Sequence, residues 1–128
     1  MKKKFSAKWK ASKQPRKQRK YLANAPLHAK QGMMKSNLSK ELRKKHCTRS
    51  VRARKGDTVK ILRGIHKGKT GKIEKVDRKN CKLFIEGIKF EKKDGTKTKF
   101  GIHYSNVQII DLDLSDIKRL KNKEKKVK

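Results

Sequence analysis

Between residues 57 and 110 the apolar residues of this 128-residue chain fall at alternate positions, in short runs separated by polar turns. Period-two alternation sends successive side chains to opposite faces, so each run predicts a half-buried β-strand. Asp57 to Arg63 turns Val59 and Ile61 inward; Lys69 to Val76 turns Ile73 inward, with Val76 following an irregularity; Cys81 to Glu86 turns Cys81, Leu83 and Ile85 inward. Asp77 to Asn80 has the composition of a turn. Asp94 and Gly95, within Lys93 to Thr96, carry the signal of a tight hairpin whose arms hold Phe90 and Phe100. A last strand runs from Val107 to Ile110. Short, closely spaced strands without long helices predict a mainly β fold, a small five-stranded barrel.

The flanks read differently. Residues 1–50 hold only scattered large apolar side chains, too few to offset the backbone entropy of ordering fifty residues, so this part must dock on something. Two short helices are expected in it. Pro26 opens one running to about Met34, and Ser39 caps another through LSKELRKK, with Leu38 and Leu42 on one face. After the barrel, Ser115 starts a C-terminal helix with Ile117 and Leu120 as its anchors. The expected organisation is therefore a basic extension over 1–50, a barrel over 51–112, and a helix with a basic tail over 113–128.

Charge narrows the function more than any other property. Forty-one Lys and Arg stand against eleven Asp and Glu, a formal net charge of +30. The extension has 17 bases and one acid, the barrel 17 bases and seven acids, the last part seven bases and three acids. Self-repulsion on this scale calls for a polyanionic partner. No apolar anchor or long amphipathic face supports a membrane partner, and the basic N-terminus has no apolar segment behind it, so neither a secretory signal nor a membrane span is expected. Nucleic acid is the partner this composition favours, in a cytoplasmic setting where Cys47 and Cys81 stay free thiols.

The candidate binding chemistry concentrates in RKGDTVKILRGIHKGKTGKIEKV, residues 54–76, which has the form GDxVxIxxGxxKGxxGxIxxV and includes eight Lys and Arg. Glycines allow backbone N–H groups to approach phosphates while neighbouring bases supply charge. The candidates here are Arg54, Lys55, Arg63, Gly64, His66, Lys67, Gly68, Lys69, Gly71 and Lys72. The plainer reading is that the glycines close a tight barrel and the lysines are solvated, and both can hold together. Gly71, inside a strand, marks a bulge, a bend or the close approach of another backbone. In the extension, Arg16, Lys17, Arg19, Lys20, Arg43, Arg49 and Arg52 are candidates for RNA contact, against ordinary solvated charge. Trp9 and Tyr21 could stack on bases or pack on protein, and the hairpin at Asp94 and Gly95 is either a recognition finger or a plain connection.

The spacing of this stretch resembles the KOW motif of ribosomal proteins and of transcription factors of the NusG and Spt5 type, which fold it as part of an SH3-like barrel. The flanks KQPRKQRK, NAPLH, LSKELRKK, GIHYSNVQII and LDLSD resemble the archaeal and eukaryotic branch of large-subunit ribosomal protein number twenty-four, called twenty-six in eukaryotes. The resemblance covers roughly residues 12 to 117. It departs at Asn37, Arg52 and Tyr104, where relatives usually carry proline, and in the leading MKKKFSAKWKA. It implies a structural component of the large ribosomal subunit, bound to the 5′ region of large-subunit rRNA and to neighbouring ribosomal proteins. It also implies a role early in assembly, near the nascent-chain exit.

Other classes fit less well. A KOW-type transcription elongation or termination factor would carry a polymerase-binding domain before the barrel, and a histone-like DNA compactor explains the charge but not the barrel. Cys47, Cys81, His46, His66 and His103 have no paired ligand spacing, so no metal or other cofactor is expected. Glu74, Asp77, Glu86 and Glu91 sit among lysines, and no serine or cysteine has a base furnished beside it, so neither catalysis nor a small-molecule substrate is expected. Nothing in the pattern calls for a homo-oligomer.

Overall fold

The computed structural model describes residues 5–9, 11–116 and 118–120, and of Trp9 the backbone alone. Among the described residues, three complete helices, α1 (Pro15–Asn24), α2 (Leu27–Met33) and α3 (Lys40–His46), accompany seven strands. The strands are β1 (Lys35–Leu38), β2 (Ser50–Arg52), β3 (Thr58–Ile61), β4 (Thr70–Asp77), β5 (Lys82–Glu91), β6 (Lys97–His103) and β7 (Val107–Asp111). They form one mixed sheet in the order β2-β1-β7-β3-β4-β5-β6. Only the β1–β7 ladder is parallel; the others are antiparallel.

The alternation from 57 to 110 is borne out in the burial except at Cys81, which is half-buried at φ +56° in the turn before β5 because the strand starts only at Lys82. Val59, Ile61, Ile73, Leu83 and Ile85 are all buried in one core with Val107 and Ile109. The irregularity before Val76 is a register shift between Ile73 and Lys75 on β4. Hairpin closure follows the Asp-Gly signal: Gly95 takes φ +78°, its N–H donates to the Lys92 carbonyl at 2.9 Å, and the Lys92 N–H donates to the Thr96 carbonyl.

The strand count differs from the expected five, and the sheet is not closed. Of the two additional strands, β1 lies in the extension and β2 straddles its end. Ser36 and Leu38 alternate inward on β1, whose register on β7 pairs Asn37 with Gln108 and Leu38 with Ile109. Leu38 is fully buried, and so is Ser36, whose hydroxyl donates to the Tyr104 carbonyl at 2.9 Å. With only four residues, β1 is too short for its alternation to stand out from a polar surrounding, and it becomes a strand because β7 offers an open edge. The extension thus docks on the chain's own sheet, and β2 runs across residue 50.

Both expected helices form. Pro26 precedes α2 and its carbonyl accepts from Ala29 and Lys30 N–H. Ser39 caps α3, its Oγ accepting from the Leu42 N–H at 3.3 Å. Helix α1 is an addition to the expected pair; Pro15 at its first position is its start signal, and it buries no residue. Of the expected C-terminal helix, residues 118–120 are helical and Leu120 packs against the core, while Ile117 and 121–128 lie outside the described residues.

One buried ion pair ties these parts together. Asp57, at the turn before β3, is wholly buried, and Arg119 grips it with Nη1 on Oδ1 at 2.6 Å and Nη2 on Oδ2 at 2.5 Å. The backbone N–H groups of Arg54 and Asp113 also donate to this carboxylate, at 2.8 and 3.1 Å. Arg119 further donates to the carbonyls of Asp113 and Arg52. Removing one member of such a pair leaves an uncompensated buried charge. Arg119→Ala should therefore destabilise the fold by about 3–5 kcal/mol, read as a lower urea midpoint; an unchanged midpoint would contradict this role for the pair.

Candidate nucleic-acid interface

The candidate residues fall into three groups on the surface. The first is the loop from Leu62 to Lys69 that joins β3 to β4. Gly64 and Gly68 take φ +94° and +87°, a region costly for any residue with a Cβ. They let the loop close on itself, with the Gly68 N–H donating to the Ile61 carbonyl at 2.8 Å and the Lys67 N–H to the Gly64 carbonyl at 3.0 Å. The closed loop presents Arg63, Lys67 and Lys69 outward, all exposed. His66 is half-buried, its ring edge-on to Phe100 with centroids 5.4 Å apart.

Gly71 answers to a different constraint. It pairs with Val59 on β3, and a Cβ there would stand 2.8 Å from both the Glu86 carbonyl oxygen and Ile85 Cγ2 on β5. Close approach of a neighbouring backbone is thus what this glycine permits. Its neighbour Lys72 remains exposed and lines, with Lys55, Lys89 and Lys99, a cleft of about 670 Å³ beside β5.

The second group is the turn leading into β3. Arg52, Arg54 and Lys55 line a cleft of about 570 Å³ together with Lys75 and Arg78. Lys75 and Arg78 are not among the sequence candidates: Lys75 stands at the end of the motif, away from its glycines, and Arg78 in the turn after it, and only the tertiary fold sets them on the same cleft as Arg54. That turn is held by Asp77, whose carboxylate accepts from Lys79 and Asn80 N–H at 2.9 and 3.1 Å and from the Asn80 side chain at 2.8 Å. Lys30 of α2 donates to the Lys79 carbonyl at 3.1 Å, which brings α2 to the same edge. Arg54 is partly committed, its Nη1 lying 2.6 Å from Asp116.

The third group sits on the helices. Arg16, Arg19 and Lys20 are exposed on α1, where Lys17 is half-buried. Tyr21 is half-buried with its ring 4.8 Å from Phe5, so it packs on protein; the Trp9 side chain lies outside the described residues. Arg43 on α3 is half-buried and its Nε has no hydrogen-bond partner, while Arg49 before β2 is exposed.

Acids temper this surface at defined points. Glu74 is held below the usual carboxylate range by its hydrogen bond to Lys99. Asp77 is lowered by Asn80, Asp113 by the Ser115 N–H and hydroxyl, and Asp116 by Arg54. Neither Arg63, Lys67, Lys69 nor Lys72 forms an ion pair among the described residues. No group of three or more His, Cys, Asp or Glu there could hold a metal ion, and no helix is long and apolar enough to cross a membrane.

Two outcomes follow from this geometry. Gly71→Ala forces a methyl into β5 and should cost about 1–3 kcal/mol in denaturant unfolding, whereas a neutral effect would mean that β5 can move aside. The lowered carboxylates bind protons less well folded than unfolded. Their contribution is complete above the ordinary carboxylate pKa of about 4 and is lost as pH falls through their lowered values. Thermal midpoints should accordingly be level from neutral pH to about 5 and drop below about 4.

Compared with known families, residues 12–126 match the sequence model of a ribosomal protein family, described as eukaryotic L26 and its archaeal counterpart, large-subunit protein number twenty-four.

Proposed function

The chain belongs to this ribosomal family, and so is a structural protein of the large ribosomal subunit and not a member of an enzyme family; from that premise we propose that it binds large-subunit rRNA through the three basic groups described above. The observation that carries the reading is the closed loop 62–69, which holds Arg63, Lys67 and Lys69 outward with no ion-pair partner among the described residues. Strands β7, β3, β4, β5 and β6, with a 3-10 turn at Tyr104–Asn106 before the last in sequence, are read as the SH3-like barrel of KOW proteins.

In this reading, Arg63, Lys67, Lys69 and Lys72 neutralise phosphates on one side, with His66 and the backbone of Gly64 and Gly68 beside them. Arg52, Arg54 and Lys55 act at the adjacent cleft, while Arg16, Lys17, Arg19, Lys20, Arg43 and Arg49 reach further along the RNA. Released counterions supply most of the affinity, and the fixed spacing between groups selects a folded RNA junction over a uniform duplex. The family resemblance further supports binding to the 5′ region of the rRNA, a role early in subunit assembly, a position near the nascent-chain exit and contacts with neighbouring ribosomal proteins.

If about eight phosphates are neutralised, log K for an rRNA 5′-domain fragment should fall against log salt with a slope of roughly −6 to −7. The triple variant Arg63→Ala/Lys67→Ala/Lys69→Ala should flatten that slope by about 3. Filter binding across a salt series measures both, and a wild-type affinity that hardly responds to salt would refute the reading.

A further inference from the structure

Strands β5 and β6 carry their inward row past the edge of the core. Ile88 on β5 and Ile102 on β6 are buried, and Gly87 at φ +79° lies in the register irregularity that precedes Lys89. Beyond them the same side of the ladder bears Phe90, Thr98 and Phe100, because Phe90 pairs with Thr98 and Phe100 lies two residues from Thr98. Phe90 is 55% exposed; Phe100, against whose ring His66 packs, is still 38% exposed, and Ile65 at the tip of the facing loop is 92% exposed. Leaving aromatic surface in water forgoes favourable burial. A contiguous apolar face beside the candidate binding loop marks an interaction surface.

Charge decides what occupies it. Residues 62–69 and 89–100 hold eight Lys and Arg and two acids, Glu91 and Asp94. A protein neighbour would have to match an aromatic face set in strong positive charge, whereas single-stranded RNA carries both complements on every nucleotide: a flat base and a phosphate. A duplex keeps its base faces stacked inside and cannot use the rings. Resting on the rRNA-binding reading above, we infer that this hairpin face binds unpaired RNA nucleotides. Their bases stack on Phe90 and Phe100, and their phosphates lie on Arg63, Lys67 and Lys69.

The test compares oligouridine with an RNA duplex of equal charge, using the full chain at matched salt. The double variant Phe90→Leu/Phe100→Leu keeps apolar bulk but removes the aromatic faces. It should lose about tenfold or more in oligouridine affinity and hold duplex affinity within about twofold. Phe90→Tyr/Phe100→Tyr should retain both. Unchanged oligouridine affinity in the leucine variant, or an equal loss for the duplex, overturns the inference. Loss from purified large subunits with RNA affinity intact also overturns it and assigns the face to a protein neighbour. If the leucine variant fails to fold, Phe90→Trp serves instead: its added fluorescence over the unsubstituted chain should be quenched by oligouridine and not by duplex, and the absence of that difference overturns the inference. Wild-type protein that binds neither RNA would defeat the rRNA reading itself, which separates the two failures.

Discussion

Four donors converge on the Asp57 carboxylate, two from the Arg119 guanidinium and two from the backbone of Arg54 and Asp113. Taking both charges out of water is costly, and in a buried pair it is offset only when the carboxylate and most of the guanidinium N–H groups find partners, as they do here. The pair joins the turn before β3 to the segment after β7, and through the Arg52 carbonyl it reaches β2 as well. Arg52, Arg54 and Lys55, three of the outward-facing bases, lie on the stretch that this pair pins. In a chain with a net charge of +30, an acid placed inside rather than on the surface holds the fold without masking the basic exterior.

The rest of the interface is built under similar constraints. Gly71 has no side chain because β5 passes too close, and that close approach sets β4 firmly under the loop carrying Lys67 and Lys69. Gly64 and Gly68 shape the loop itself through positive φ. The extension, too weakly apolar to fold alone, is anchored by Leu38 against β7 and by Ser36 on the Tyr104 carbonyl, so the chain itself holds β1 and α3 to the sheet. What a partner must still order is correspondingly less, which lowers the entropy cost of binding.

Strand alternation made Val59, Ile61, Ile73, Leu83 and Ile85 legible as core, and cap chemistry made α2 and α3 legible from Pro26 and Ser39. The family was legible as well, from motifs before and after the glycine-rich stretch. Strand β1 was not: a four-residue strand, KSNL, has no periodicity of its own, and its pairing is decided by a partner some seventy residues away. Lys75 and Arg78 were illegible for the same reason, since their relation to Arg54 is spatial.

Local rules therefore determined the alternating strands, the helices opened by Pro26 and capped by Ser39, the hairpin turn and the basic character of the surface, because each depends on residues a few positions apart. The tertiary structure alone decided that Asp57 and Arg119, 62 residues apart, share a buried site. It also decided that the extension and its junction with the barrel segment add two strands, that Gly71 is required by a neighbouring backbone, and that Phe90 and Phe100 lie beyond the edge of the core. Each of these turns on a long-range contact, whose energy depends on what stands opposite in space and not on what stands next in the chain.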